Sequence, residues 1–252
     1  MTNSATTASD KTLLVLEAVL TNRRFTDVVE ATGLAKATVH RIATTLVQHG
    51  FLVVTEAGEY IPGPKALALA GMALERIDIS ALADPFLAEL VTATRCTVHI
   101  GALNGDEVIY VAKKDSDKPY RMPSRIGKGL WMHSSGIGKA ILADFSAAQL
   151  NNFVERAGLP KRTPKTIDTK AALIKEIDMV RRRGFAIDDE ENEPGIRCVA
   201  AGVRDHTGLM TYGLSISTLT LEHSPEQVEA MAPQAIEAAG AISRALGYTG
   251  KL

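Results

Sequence analysis

Apolar residues between Phe25 and Gly50 recur at helical spacing on two short segments. Val28, Val29 and Ala31 give the first segment a buried side. Val39, Ile42, Leu46 and Val47 fall at i, i+3, i+7 and i+8 and give the second one face. Thr26 is the expected N-cap of the first helix, Asp27 puts a carboxylate in its first turn, and Gly33 supplies the left-handed residue that ends it. Leu34 anchors the turn, and the second helix is expected from about Ala35 to His49. Lys36, Thr38, His40, Arg41 and Thr45 lie largely off its apolar face. This much fits an ordinary helical hairpin with a solvated face equally well. The next residues favour something more specific. Phe51 to Val54 reads as a strand, Ala57-Gly58-Glu59 as a tight turn and Tyr60-Ile61 as the returning strand. Helix, turn, helix and hairpin in that order make a winged helix-turn-helix. Its second helix would offer Lys36, Thr38, His40, Arg41 and Thr45 to the base edges and phosphates of double-stranded DNA.

Upstream, Asp10 to about Asn22 reads as a helix with Leu13, Leu14, Leu16, Val19 and Leu20 on a broad apolar face. That face exceeds what packing on the two short helices needs, and the surplus suits a second subunit. Pro62-Gly63-Pro64 punctuates the chain. Lys65 to Ile77 then carries Leu67, Ala70, Leu74 and Ile77 at spacings of 3, 4 and 3, a short seam that either extends the dimer contact or packs on its own domain.

A different composition begins near Ala81. Asp84-Pro85 can open or straighten a helix running to about Thr94. Cys96 to Leu103 and Glu107 to Ala112 read as strands joined by an Asn104-Gly105 turn. Tyr120 to Lys128 is a polar, basic strand or loop. Helices are expected over Ser135 to Ala143, from a Ser146–Gln149 capping box, over Thr169 to Arg183, and from a Ser224–Gln227 capping box to about Gly247. Phe185 to Asp188 is a short strand, and Ile196 to Arg204 with Leu209 to Ser217 forms a hairpin around His206-Thr207-Gly208. Antiparallel hairpins flanked by helices make this half α+β. The expected division is a winged helix-turn-helix over 8–63, a linker helix over 64–79 and a binding domain over 80–252.

Hydrophobic residues are 46% of the 252 and charged residues 23%, which excludes a disordered chain, and no apolar run is long enough to span a bilayer. MTNSATTASD lacks the layout of a signal peptide, and Cys96 and Cys198 share no CxxC pattern. A reduced, cytoplasmic protein with no membrane partner is expected. Net charge is −1, and residues 1–75 hold six Lys or Arg against seven Asp or Glu. A DNA-binding unit with so few cations makes few phosphate contacts, so useful affinity needs two copies.

Enzyme signatures fail in turn. HSSGIGKA has the lysine of a phosphate-binding loop, but His133 stands where the first glycine belongs and Ala140 where Ser or Thr belongs. Gly127-Lys128-Gly129 runs into Met132 at the third glycine of a dinucleotide fingerprint, and no GxSxG is present. Cys198 with His133 would be a thiol dyad, and with Asp188 a zinc site, but no ligand spacing supports either. No catalytic residue, metal or cofactor is expected. Two glycine-rich stretches remain, His133 to Ala140 and Gly184 to Asp205. Within the second, Asp188-Asp189-Glu190-Glu191 reads as a solvated loop. Ser215 and Ser217 share a face of one strand and line either a core with satisfied hydroxyls or a small polar pocket.

The segments GLAKATVHRIATTLVQHGFL, HSSGIGKAILA, GFAIDDEENEPGIRCVAAGVRD and GLSIS, in that order, resemble the IclR family of bacterial transcriptional regulators over nearly the whole chain. The acidic run followed by GIRC is the specific part. The resemblance implies a GAF-like effector domain after the winged helix, a homodimer or homotetramer, and a DNA-binding regulator, more often a repressor, whose operator binding is altered by a small carboxylate effector. It also implies roles for matching positions. The backbone of Gly136 and Ile137 would donate to the effector carboxylate. Asp188, Cys198, Ser215 and Ser217 would line the same pocket, Asp188 being suited to an effector hydroxyl. Trp131, the only tryptophan, is either a core aromatic or a pocket wall that sets effector size. Ala35 and Ala37 depart from the family's serine or proline and serine, Trp131-Met132 from Pro-Leu, and Gly202 from proline. YRMPSRIGKG, Tyr120 to Gly129, resembles the branch that senses sugar acids such as 2-keto-3-deoxygluconate. The rival reading is a metabolite-binding enzyme with an N-terminal interaction module, which needs a catalytic base beside a nucleophile.

Overall fold

The structure is a computed structural model that describes residues 7–119 and 122–250. The first six residues of the N-terminal tail, and Tyr120-Arg121 at the head of the basic stretch, lie outside the described residues. The chain forms two compact units that meet in sequence at Ile77 and Asp78.

In the first unit, α1 (Ala8–Thr21) starts earlier than expected because Thr7 and Asp10 form a capping box. Val15, Ala18 and Val19 are buried, whereas Leu13, Leu14 and Leu20 are exposed. The second helix, α2 (Phe25–Thr32), corrects the expected cap. Its N-cap is Arg24, and Thr26 is already helical, with its hydroxyl 3.0 Å from Asp27 Oδ1. The chain ahead of it is tied down instead by the Tyr60 N–H donating to the Arg23 carbonyl, and Phe25 packs against the core. Gly33 ends α2 at φ +63°. The third helix, α3 (Lys36–Gln48), buries Val39, Ile42, Ala43 and Leu46. β1 (Leu52–Val54) and β2 (Tyr60–Pro62) pair antiparallel as the wing. α4 (Pro64–Glu75) opens on proline and buries none of its residues.

The second unit opens with α5 (Ile79–Thr94), where Asp78 caps the helix by accepting from Ser80 and Ala81 N–H. Pro85 therefore lies inside this helix and does not open it; burial of Ala83, Leu87 and Leu90 holds the helix across the missing donor. β3 (Thr97–Asn104) and β4 (Glu107–Lys114) follow, with Asn104 paired to Glu107, so the turn residues are Gly105-Asp106 and not Asn104-Gly105. Then come β5 (Gly129–Trp131), α6 (Gly136–Leu142), α7 (Ala147–Ala157), α8 (Lys170–Arg183), β6 (Ala186–Asp189), β7 (Ile196–Val203) and β8 (Tyr212–Leu219). The last expected helix is two, α9 (Pro225–Glu229) and α10 (Ala232–Ala245). Pro233 has no N–H to continue a helix and sits in the first turn of the new one.

The six strands form one antiparallel sheet in the order β5-β4-β3-β8-β7-β6. Alternation sorts the side chains between two faces. Val98, Ile100, Leu214, Ile216, Val199 and Ala201 pack on α5 and α10. On the other face Val108, Tyr110, Leu130 and Ala200 pack with Ile137, Ile141, Phe153, Leu173 and Ile177 of α6, α7 and α8. One bulge breaks the alternation. Ile100 pairs with Ala112 but Gly101 with Tyr110, leaving Val111 as an extra residue. As a result Tyr110 and Lys113 both turn to the α6 face, the face that carries His99, Ser215 and Ser217.

Helix α6 lies close to the chain that precedes it: a Cβ on Gly138 would run into the backbone of Met132. Gly138→Ala should lower the unfolding free energy by about 1–3 kcal/mol, as overpacking against backbone does. Chemical denaturation monitored at Trp131 checks this; an unchanged midpoint would mean that α6 can move off Met132 freely.

Candidate functional site

On the α6 face of the sheet the described residues leave a cavity of about 30 Å³, room for roughly two water molecules. Its lining includes Gly136 and Ile137 from the start of α6, Asp188 from β6, Cys198 from β7, and Ser215 and Ser217 from β8. The six come together because β6, β7 and β8 are neighbours and α6 packs over them. Ser135 caps α6 by accepting from Gly138 N–H at 3.2 Å, which leaves the Gly136 and Ile137 N–H groups without a partner inside the helix. A Cβ on Gly136 would stand 3.1 Å from Ala200 Cβ and 3.8 Å from the Cβ atoms of both Asp188 and Cys198. Glycine here keeps the space above β6 and β7 open.

Asp188 is buried, and its Oδ1 accepts from the N–H groups of Glu191 (2.8 Å) and Asn192 (3.2 Å). Burial pushes its carboxyl up to about 7, opposed by the nearby Lys139 ammonium. Burial also raises the Cys198 thiol far above its ordinary range, so it remains an uncharged SH. The hydroxyls of Ser215 and Ser217 lie 3.5 Å apart.

The acidic run is not a solvated loop. Asp188 caps the turn, Asp189 meets Lys165 (3.0 Å) and Arg197, and Glu190 meets Lys165 at 2.7 Å. Glu191 pairs with the fully buried Lys139 of α6. Each carboxylate has its own cation or N–H, which is what lets Asp188 and Glu191 be buried.

Trp131 does not line this cavity. Leu130 does, and the next residue on the strand points to the opposite face. Trp131 stacks on His133 with centroids 5.8 Å apart, under the Arg162 guanidinium at 4.7 Å, and borders a separate hollow with Phe153 and Pro160. His133 gives its Nε2 to the Pro160 carbonyl at 3.1 Å, away from Cys198. Among the lining residues the sequence reading did not single out are His99 and Tyr110, whereas Ser124 and Lys128 belong to the YRMPSRIGKG stretch. A lone histidine within the apolar run TVHIGALN was the available signal for the first. Lys128 lies 3.6 Å from Glu193 at the same cavity.

In the first unit, Lys36, His40, Arg41 and Thr45 are exposed on α3, and Thr38 is half-buried. Arg41 shares the face opposite the core with Ala37, Thr44 and Gln48, all exposed. Thr44 and Gln48 were not singled out by the sequence. Thr45 already donates its hydroxyl to the Arg41 carbonyl at 3.0 Å, and His40 stands edge-on to Phe25 at 6.2 Å.

Two family models match this chain: the IclR helix-turn-helix domain over residues 8–56, and the bacterial transcriptional regulator IclR C-terminal domain over residues 71–244. The chain belongs to the IclR family. Among IclR-family relatives, it is similar to the HTH-type transcriptional regulator XynR of Escherichia coli, 36% identical over 229 residues, 90% of this chain and 91% of that one. It is 31% identical over 225 residues to the transcriptional repressor IclR of Escherichia coli, 88% of this chain and 82% of that one. The solved structure of the Thermotoga maritima IclR superposes with a TM-score of 0.65 at 29% identity, covering 95% of this chain and 98% of that one. The relatives are regulators of transcription and not enzymes.

Asp188 gives the IclR-type cavity a pH signature. Its folded-state value near 7 lies above the ordinary 3.8, so the folded state binds more protons between the two. Its contribution is fully present below about 3.8, is lost as pH rises through about 7, and reaches its least favourable level above that. Asp188→Asn should flatten the fall in stability across this window, and denaturant melts at stepped pH would show it. Parallel curves for parent and variant would place the Asp188 carboxyl in water.

Proposed function

We propose that this IclR-family regulator binds operator DNA as a homodimer or a dimer of dimers, represses transcription there, and is controlled by a small carboxylate metabolite that carries hydroxyl or keto groups. Sugar acids and keto acids are the compound classes meant. The observation that carries the reading is the convergence of Gly136 and Ile137, whose N–H groups have no partner within α6, with Asp188, Ser215 and Ser217 in one cavity. Clustered N–H groups suit a carboxylate. Asp188 and the serines suit hydroxyls. Cys198, uncharged, adds a small soft wall. At about 30 Å³ the space admits such a ligand only if surrounding side chains give way, so occupancy and conformation are linked.

On the DNA side, Lys36, Thr38, His40, Arg41 and Thr45 of α3 are the contact set, and the exposed Thr44 and Gln48 extend it along the same helix. The subunit contact is ascribed to the apolar residues left uncovered on α1 and α4, among them Leu13 at 58%, Leu67 at 63% and Met72 at 50% exposure. The domain roles follow: residues 8–63 bind DNA, 64–79 link, and 80–252 bind the effector. A regulator of this kind works in the cytoplasm.

Operator binding with and without a panel of sugar acids, keto acids and aromatic acids tests both halves. Arg41→Ala should weaken specific binding by roughly 1–3 kcal/mol, the worth of a base-edge contact, and leave the effector response intact. Gly136→Leu should bind operator as the parent does and lose the response, because its side chain fills the carboxylate space. A Gly136 variant that still responds would move the ligand elsewhere. Sedimentation at micromolar concentration should give a dimer or larger; a monomer would remove the proposed subunit contact.

A further inference from the structure

A buried imidazole bridges the floor of the cavity and the segment that covers it. His99 of β3 is 1% exposed. Its Nδ1 lies 3.3 Å from Ser217 Oγ on the floor, and its Nε2 lies 2.7 Å from Ser124 Oγ in the covering segment 122–128. Tyr110 stacks on the ring at 4.5 Å and fixes its plane. Lys113, turned to the same face by the bulge at Val111, donates to the carbonyl oxygens of Met122 (3.1 Å) and Ser124 (2.9 Å). The start of the covering segment is thus held by a cation on β4 and an imidazole on β3.

Burial, with Lys113 nearby, pushes His99 down to about 3, so the ring is neutral. A neutral imidazole has one N–H and one lone pair. Of the two serines at its ends, one must donate to the ring and the other must accept from it. A group that donates to Ser217 turns that hydroxyl proton toward Nδ1, which keeps the ring proton on Nε2 and makes Ser124 the acceptor. A group that accepts from Ser217 withdraws that proton. The ring proton then moves from Nε2 to Nδ1, and Ser124 becomes the donor. The ring holds one proton throughout.

We propose that His99 is a positioning residue that relays the hydrogen-bonding state of Ser217 to Ser124, and so couples the contents of the cavity to the 122–128 segment. Its regulatory meaning rests on the cavity being the effector site, but the coupling does not.

The test uses the full chain without ligand, with operator binding as the check on folding. Two readouts apply: ring nitrogen shifts of His99, which report the tautomer, and amide exchange across 122–128, where Gly127 N–H donates to the Tyr110 carbonyl at 2.8 Å. Ser217→Ala removes no hydrogen bond made directly to that segment among the described residues, because the Ser217 hydroxyl meets Ser215 Oγ and His99 Nδ1. It should nevertheless change the tautomer balance and speed exchange there by about fivefold, the effect of one ordinary hydrogen bond. His99→Phe should speed it further. His99→Gln, which still reaches Ser124, should restore protection and make it indifferent to Ser217→Ala. Ring shifts and exchange in Ser217→Ala identical to the parent would overturn the relay, whether or not His99→Phe folds. A ligand panel that fails while the coupling holds would sink only the effector reading; a panel that succeeds without the coupling would sink only the relay.

Discussion

The ion pair between Lys139 and Glu191 ties the second unit together. Lys139 projects from α6 into a space with no solvent contact, where it meets Glu191 and, at 3.5 Å, Glu176 of α8. Arg183 closes the set on Glu176 at 3.0 Å. An ammonium without partners at this depth would be prohibitive, and removing one partner of such a pair costs about 3–5 kcal/mol. The backbone of Glu191 is pinned as well, because Thr166 donates to its carbonyl at 2.6 Å and its N–H goes to Asp188. Helix α6, the acidic turn and α8 therefore hold one relative position. That position sets Gly136 over Asp188 and Cys198.

The sheet supplies the rest of the site through its two faces. One face packs Val98, Ile100, Val199, Ala201, Leu214 and Ile216 against α5 and α10, with Arg197 and Thr218 buried on the same side toward the strand ends. The other face is apolar only at its ends, where Val108 and Ala200 meet α6, α7 and α8. Between them a polar patch of His99, Ser215 and Ser217 survives because its hydroxyls and ring nitrogens partner one another. Burial then acts on three of its groups in the same sense, toward the uncharged form: Asp188 and Cys198 upward, His99 downward. The cavity is polar, with the Lys128–Glu193 pair at its edge, which suits recognition by hydrogen bonds.

The first unit obeys a different constraint. It is small and nearly neutral in charge, and it leaves Leu13, Leu20, Leu67 and Met72 in solvent. Its core is one cluster around Val15, Val28, Val39 and Leu46, enough to set α3 against α1 and α2. The outward face of α3 carries the exposed side chains of Arg41, Thr44 and Gln48, of which Thr44 donates its hydroxyl to the His40 carbonyl at 2.8 Å.

Local spacing settled much of this in advance. The apolar steps along Val39 to Val47, the left-handed Gly33 and the capping boxes at Ser146 and Ser224 act over a turn or two of chain, so their outcome was legible in the sequence. The same holds for Ser215 and Ser217 sharing a face. Where two local signals competed, the sequence misled: Thr26 is a good cap, but the wing fixes Arg23 and starts the helix at Phe25. What the sequence could not show depends on partners far along the chain. The four acids from Asp188 to Glu191 read as solvated because Lys139, Lys165 and Arg197, which neutralise them, become neighbours only when the sheet and helices close. Trp131 reads as either a core aromatic or a pocket wall until strand pairing sets it beside Glu107, off the cavity and stacked on His133. His99, Tyr110 and Lys113 reach the cavity side together only because Val111 is one residue too many on β4, and a bulge leaves no mark in hydrophobic periodicity. Periodicity decided which residues share a face along an unbroken strand or helix; only tertiary closure decided where that alternation breaks, which charges are paired and which polar groups meet.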